Sequence, residues 1–462
     1  VRLNGRSWTL QSDVPAKHKF AADDLQAGDE LRMYGVLVGK AQQAIPAGGL
    51  LSTSNLKHAT VGYTVRDTQK PEWQAPDVAA WKNRTFMGYH RADGSVGVAN
   101  YWLVIPMVFC ENRNVEVLKE ALVHDLGYDK KRGYRAQTQQ LIQLHRAGKS
   151  VEEILRADLV AQAATASQRL FPNIDGIQFL THEGGCGGIR QDAQSLCGLL
   201  AGYITHPNVA GATVLSLGCQ NAQVSMLMEE IGRRDADFQK PLILLEQQKV
   251  GTESDLIASA LKETFAGLIT ANQLERKPAP ISKLCIGLEC GGSDGFSGIS
   301  ANPTLGHLSD MVVALGGSVI LSEFPELCGV EQELCDRCAD HAAAKRFSEL
   351  MTTYNRRAQS VGSGFDMNPS PGNIRDGLIT DAIKSAGAAK KGGTSPVVEV
   401  LDYPEKVTKP GLNLLCTPGN DVESTTAEVG SGATIVLFTT GLGTPTGNPI
   451  APVVKVSSNT AL

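Results

Sequence analysis

Residues 283–303 read K-L-C-I-G-L-E-C-G-G-S-D-G-F-S-G-I-S-A-N-P. The first part, Lys283 to Leu288, is a short apolar run of strand length. It stops at Glu289 and Cys290 and gives way to a loop in which glycines alternate with Ser293, Asp294, Ser297 and Asn302. An apolar run that ends in a glycine-rich turn carrying polar side chains is how a buried parallel strand hands over to its loop. The same texture recurs at Leu103 to Phe109, Ile177 to Leu180, Ala212 to Leu217, Leu242 to Leu245, Ser318 to Leu321, Val397 to Leu401, Leu412 to Leu415 and Ile435 to Phe438. Between these runs, stretches such as Val115 to Leu126, Ala222 to Arg234 and Asp255 to Leu268 place apolar residues three and four apart, predicting amphipathic helices. Alternating strands and helices imply an α/β fold with a mostly parallel sheet.

Upstream the texture differs. Residues 1–62 are short apolar pieces broken by D-L-Q-A-G-D-E and I-P-A-G-G, which predicts a small β domain. Residues 63–84, with Pro71, Pro76 and mixed charge, have linker chemistry. A Pro-containing break from Arg276 to Ile281 divides the α/β region into two lobes, 85–280 and 281–462.

Composition narrows the function. The 462-residue chain has a formal net charge of -5 with no basic face or charge block, which argues against nucleic acid and for a small partner. No apolar run is long enough to span a bilayer. Ten scattered cysteines, without a disulfide framework or a signal peptide, fit a reducing cytoplasm. Val1 opens the chain without a methionine, so either end is expected to have been trimmed.

The chemistry gathers where the strands end, at Cys110, His182, Cys219, Glu246, Cys290, Glu323 and Cys416. Open parallel sheets bind ligands outside the carboxyl ends of their strands. A single buried cysteine or strand-end glutamate is ordinarily structural; seven such groups on one rim point to a bound ligand. In T-H-E-G-G-C-G-G, His182 and Cys186 stand four apart in a turn able to bring both toward one divalent ion. The 289–303 segment reads as a carboxylate- or hydroxyl-binding loop. Glu323 and Glu326 in S-E-F-P-E either hold a metal or divide acid and base work, the bland alternative being a solvated helix-start pair. Two features are discounted. Cys335, Cys338 and His341 lack a second cysteine pair and read as a helix-surface coincidence, not zinc. G-L-G-T-P-T-G at 441–447 lacks the Lys-Ser/Thr of a P-loop, and no nucleotide cofactor is expected.

Taken in order, several motifs carry a resemblance that runs across most of the chain: G-Y-H-R-A-D-G-S-V-G from Gly88, H-E-G-G-C-G from His182, L-G-C from Leu217, the 289–303 segment, S-E-F-P-E from Ser322, N-P-S-P-G-N from Asn368, K-G-G-T from Lys391 and T-T-G-L-G-T-P-T-G from Thr439. With these the sequence resembles the altronate/galactarate dehydratase family. Its first part, with P-A-K-H-K-F-A around His18 and Y-G-V-L-V-G-K-A around Gly35, is similar to the β-clip (SAF) domain that precedes the catalytic region there. The resemblance implies a ferrous- or manganese-dependent dehydration of a hexonate or aldarate, altronate to 2-keto-3-deoxygluconate being the leading case. Removing a proton beside a carboxylate builds a dianionic enediolate, which a divalent ion stabilises. Base and acid roles then fall to His18 or His182 and to Glu323 or Glu326. The candidate metal ligands are His182, Cys186, Cys219 and Cys290. Ser293, Asp294, Ser297, Asn302, Asn368 and Thr440 are the candidate substrate contacts.

The resemblance also has gaps. Ser52, Thr53, Ser54 and Asn55 stand where some relatives carry H-x-H-N, and a first strand and a C-terminal segment usual in the family are expected to be absent. Two other readings stay open: a sulfolactate sulfo-lyase, for which Arg190 and Lys249 offer cations near the rim, and a non-catalytic sugar-acid binding protein. A homodimer is the expectation for a soluble enzyme of this size.

Overall fold

The computed structural model describes residues 1–66, 72–129, 134–159 and 168–462. Part of the expected linker, 67–71, lies outside the described residues. The N-terminal part opens with a hairpin of β1 (Arg2–Leu3) and β2 (Arg6–Ser7). A three-stranded antiparallel sheet follows, made of β3 (Glu30–Met33), β4 (Val36–Ala41) and β5 (Leu56–Lys57). Tyr34 and Gly35, both at positive φ (53° and 82°), form the two-residue turn between β3 and β4, the backbone sign that matches the twist of a tight hairpin. The Ser52–Asn55 turn is closed on itself: Ser52 and Ser54 hydroxyls lie 2.8 Å apart and the Asn55 amide donates to the Leu50 carbonyl.

Residues 72–84 contain no strand or helix. Thr64 bonds to Gln332 and the Trp73 indole donates to Thr394 Oγ1 at 3.2 Å, so the segment is tied to the C-terminal part of the chain.

Next come β6 (Thr85–His90) and β7 (Val96–Gly97), then a parallel four-stranded sheet of β8 (Tyr101–Pro106), β9 (Gly176–Phe179), β10 (Val209–Ser216) and β11 (Leu242–Glu246), in the order β11-β10-β8-β9. β10 is buried at every residue, as a central strand covered on both faces must be. The Pro-containing stretch expected to be a mere break is itself a strand, β12 (Lys277–Pro280), which pairs antiparallel with β6.

The remaining strands are β13 (Cys285–Cys290), β14 (Ser318–Leu321), β15 (Val397–Leu401), β16 (Gly411–Leu415), β17 (Ile435–Thr440) and β18 (Val453–Ser457). They form one parallel sheet in the order β15-β16-β14-β13-β17-β18. Helix Ala301–Ala314 covers one face, packing Leu305 and Val312 with Leu288, Val319 and Leu321. Helix Asp421–Gly430 covers the other, where Ala427 and Val429 meet Ile320, Leu415 and residues of the four-stranded unit such as Ala201. The two parallel sheets thus share a core through this second helix layer. β3–β5 dock on the six-stranded unit from the first face, with Val38, Ile45 and Leu56 in its core. Among the described residues no helix is long and apolar enough to cross a membrane.

Candidate active site

Both parallel sheets reverse their strand order once, and each reversal leaves a crevice at the carboxyl ends of the strands. In the six-stranded sheet the crevice lies between β13 and β17, because the chain first builds outward through β14 and later returns on the other side. Cys290 ends β13, and Glu323 lies two residues past the end of β14. Glu323 adopts φ 63°, a left-handed conformation that a non-glycine residue holds only where its surroundings impose it. Its amide donates to Thr417 Oγ1 at 2.9 Å, and the 3-10 turn Phe324–Leu327 brings Glu326 back beside it.

Among the described residues, Cys290, Glu323 and Glu326 are the one group of three potential metal ligands whose atoms all lie within 4.8 Å of one another. The Cys290 thiol donates to Glu326 Oε2 at 3.2 Å and approaches Glu323 Oε2 at 3.5 Å. Far from being a solvated pair, the two glutamates are 1% and 2% exposed. Lys391 Nζ sits 2.6 Å from Glu323 Oε2, and Lys384 Nζ sits 2.6 Å from Glu326 Oε1. Behind them Glu289 and Glu428 are wholly buried. Burial, reinforced by the charge of Glu323, pushes Glu289 well above the usual carboxylate range. Burial also raises Glu428, to about 8. Glu326 moves the other way: burial opposes its charge, but Lys384 and Lys391 outweigh it and hold the carboxyl low. The Cys290 thiol is driven up by burial and then by the two glutamates.

This cluster holds two more carboxyls than ammonium groups, and Glu323 Oε1, Glu289 Oε2 and Glu428 Oε2 are buried without a hydrogen-bond donor. Buried oxygens in that state call for a proton or a cation. One thiol and two carboxylates on a common centre are a donor set that a divalent ion satisfies.

Beside the cluster lies a narrow, partly open cavity of ≈ 10 Å³, lined by Cys290, Lys384, Ser293, Ser297, Asn302 and, from the N-terminal part, Lys19. The loop after β13 is held rigidly behind it. Asp294 accepts from Ser297, Ser458 and Asn459 and pairs with Lys17 at 3.2 Å. A side chain on Gly295 would strike the Lys17 carbonyl (1.9 Å), so only glycine lets the two chain segments meet this closely.

The residues singled out from sequence fall into three sets. Cys290, Ser293, Ser297 and Asn302 line the cavity, Glu323 and Glu326 cluster with Cys290 behind it, and Asn368 lies alongside through its 3.1 Å contact with Lys384. Asp294 and Thr440 are buried and engaged by internal hydrogen bonds, so they brace the loops. His18 is half-buried, with Nδ1 3.2 Å from the Ala16 carbonyl, on a segment whose neighbours Lys17 and Lys19 both reach the site. His182, Cys186 and Cys219 belong instead to the four-stranded sheet, so the four candidate metal ligands do not share one centre with Cys290. His182 also has no nitrogen to offer in this arrangement, because Nε2 donates to the Pro106 carbonyl (2.9 Å) and Nδ1 accepts from the Gly184 amide (3.1 Å). Cys335 and Cys338 are not on a helix surface as expected but in the core, their thiols directed at backbone carbonyls. Sequence reasoning did not single out Lys19, Lys384, Lys391, Glu289 or Glu428 as site residues; Lys19 in P-A-K-H-K-F-A, Lys391 opening K-G-G-T and Glu289 opening E-C-G-G sit in motifs that could have flagged them, whereas Lys384 and Glu428 do not.

Comparison with known proteins bears on the whole chain. Residues 1–59 match the altronate/galactarate dehydratase SAF domain, 88–272 the D-galactarate dehydratase/altronate hydrolase second domain, and 281–462 the D-galactarate/altronate dehydratase C-terminal domain. The chain is 33% identical to the altronate dehydratase of Bacillus subtilis over 99% of its own length and 82% of that protein. It is equally similar, at 33%, to the altronate dehydratase of Escherichia coli, covering 100% of the chain and 83% of the relative. The galactarate dehydratase (L-threo-forming) of Escherichia coli is 30% identical over 98% of the chain and 80% of the relative.

Proposed function

The chain belongs to the altronate/galactarate dehydratase family, and from that premise we propose that this hydro-lyase dehydrates D-altronate to 2-keto-3-deoxy-D-gluconate. Sugar-acid dehydration is common to the three relatives named above; the choice of altronate rests on the two altronate dehydratases standing at 33% against 30% for the galactarate enzyme. The observation that carries the chemistry is the buried Cys290–Glu323–Glu326 cluster with its two lysines beside the Lys19-lined cavity.

The reaction needs the substrate carboxylate held, the C2 proton removed and the C3 hydroxyl protonated as it leaves. Lys19 supplies a cation to the carboxylate, and Ser293, Ser297 and Asn302 line the path of the hydroxyl groups. His18 takes the C2 proton: a histidine suits proton abstraction near neutral pH, and it stands between Lys17, whose carbonyl packs on Gly295 of this loop, and Lys19, which lines the cavity. Lys384 Nζ, which lines the cavity and touches Asn368, delivers the proton to the departing hydroxyl. Cys290, Glu323 and Glu326 would hold a divalent ion, ferrous iron before manganese because one donor is a soft sulfur. When bound there, the ion supplies the positive charge that an enediolate requires.

The test is anaerobic incubation of the full chain with ferrous iron and D-altronate, galactarate or sulfolactate, reading 2-keto acid and sulfite. Keto acid from altronate ahead of galactarate supports the assignment. Faster turnover of galactarate reassigns the substrate, and sulfite would move the reaction to the sulfo-lyase reading.

A further inference from the structure

The four-stranded sheet has its own strand-order reversal, between β8 and β10, and three cysteines surround it. Cys110 lies just past β8, Cys186 past β9 and Cys219 past β10. All three are exposed. The Cys110 thiol is within hydrogen-bonding reach of Cys186 and within electrostatic reach of Cys219. Backbone bonds lock their loops together: the Phe109 amide donates to the Gly184 carbonyl at 3.0 Å, and the Ala222 amide to the Gly185 carbonyl at 3.1 Å. Gly185, at φ 91°, is pressed so close to the end of β8 that a Cβ would fall 2.1 Å from the Met107 carbonyl. The sequence therefore maintains a costly backbone approach that brings the Cys186 loop onto the loop of Cys110.

Each cysteine also stands just ahead of a helix of ordinary length: Asn112–Val123, Arg190–Thr205 and Val224–Arg234. Helix starts present unpaired amides and positive potential, which stabilises thiolates and any anionic group they hold. His182 is spoken for at both nitrogens, so it adds no nitrogen ligand to the three sulfurs.

We propose that Cys110, Cys186 and Cys219 form a second metal site, separate from the sugar-acid cluster, that binds a [4Fe–4S] cluster through three thiolates. The donor count favours a cluster over a single structural ion, which takes four protein ligands where this crevice offers three thiolates. A tetrahedral ion with metal–sulfur bonds of ~2.3 Å places its sulfurs ~3.8 Å apart; Cys110 and Cys186 are within hydrogen-bonding reach, but the three sulfurs together do not all fall within 4.8 Å of one another. A cubane is wider, and with three ligands on three of its irons the fourth iron faces the solvent-open crevice. Uptake of a preformed cluster changes no oxidation state. Three thiols each lose a proton as three iron–sulfur bonds form, and the thiolates that carried the cluster in leave with those protons.

The test is independent of sugar-acid turnover. The full chain, purified without oxygen, is mixed with a preformed thiolate-ligated [4Fe–4S] cluster, freed of excess by gel filtration, and analysed for iron, acid-labile sulfide and the broad visible absorption of the cluster. The proposal expects about four irons and about four sulfides per chain. It expects almost none in Cys186→Ala or in the Cys110→Ala/Cys186→Ala/Cys219→Ala variant, and full uptake in Cys290→Ala. Circular dichroism of each variant separates loss of the site from loss of the fold, and single Cys→Ser variants serve where an alanine variant does not fold. A folded wild-type chain that takes up no cluster overturns the proposal, as does uptake that survives the triple substitution or a colourless single zinc held by the three thiols.

Discussion

Lys391 Nζ and Glu323 Oε2 lie 2.6 Å apart with both side chains 1% exposed, in the middle of a cluster where carboxyls outnumber ammonium groups. A buried pair of this kind adds little net stability, but removing one member strands the other. Lys391→Met is therefore expected to destabilise the chain by about 3–5 kcal/mol, read as a lower unfolding midpoint. Adding Glu323→Gln should recover most of that loss. Equal losses in the single and double variants would mean that the pair is not coupled.

Asp381 gives the cluster a pH dependence. Burial, with Glu326 nearby, pushes its carboxyl from 3.8 to about 8. The folded chain thus keeps a proton that the unfolded chain loses, so stability from this group is present in full below pH 3.8, declines as pH rises and is gone above about 8. Unfolding midpoints followed across that range should fall with pH in the wild type and fall less in Asp381→Asn. An identical slope in both would show that another group is responsible.

Lys19 is the cation that the N-terminal domain places in the cavity. If it holds the substrate carboxylate, Lys19→Met removes a charge-assisted contact of about 1.5–3 kcal/mol. Steady-state kinetics should then show KM raised roughly 10- to 100-fold, with kcat altered far less. An unchanged KM would remove Lys19 from the binding site.

A chelator should abolish turnover, with ferrous iron restoring it. Thermal unfolding should report the same ion: at a free concentration a hundredfold above Kd, binding stabilises the fold by about 2.7 kcal/mol. Cys290→Ser, which exchanges a soft donor for a hard one, should lose affinity for ferrous iron more than for manganese. An ion-induced shift that Cys290→Ser leaves untouched would place the metal elsewhere.

Much of this arrangement could be read from the sequence, and the parts that could not have definite causes. The nine apolar runs all appear as parallel strands because burial on both faces leaves a continuous apolar signature, as in β10. Strand β12, K-P-A-P, escaped because two prolines argue against a strand, yet among the described residues it is an edge strand that pairs with β6 alone. Glu323, Glu326 and Cys290 were visible as strand-end groups. Their lysine partners were not, since Lys384 and Lys391 arrive from the β14–β15 connection and nothing local marks a lysine as buried. The grouping of Cys186 and Cys219 with Cys290 failed because strand-end position reveals a rim but not which sheet the rim belongs to. Only the pairing of β8 with β9 and β10 separates the two sets.

The most direct measurement compares D-altronate turnover, with ferrous iron and without oxygen, in the wild-type chain and in Lys384→Met and His18→Gln. If Lys384 and His18 carry the proton transfers beside the Cys290–Glu323–Glu326 cluster, each substitution lowers kcat by about 10²–10⁴-fold while both variants keep the wild-type fold and bind the sugar acid. Wild-type turnover in folded Lys384→Met and His18→Gln would contradict the assignment of catalysis to this cavity.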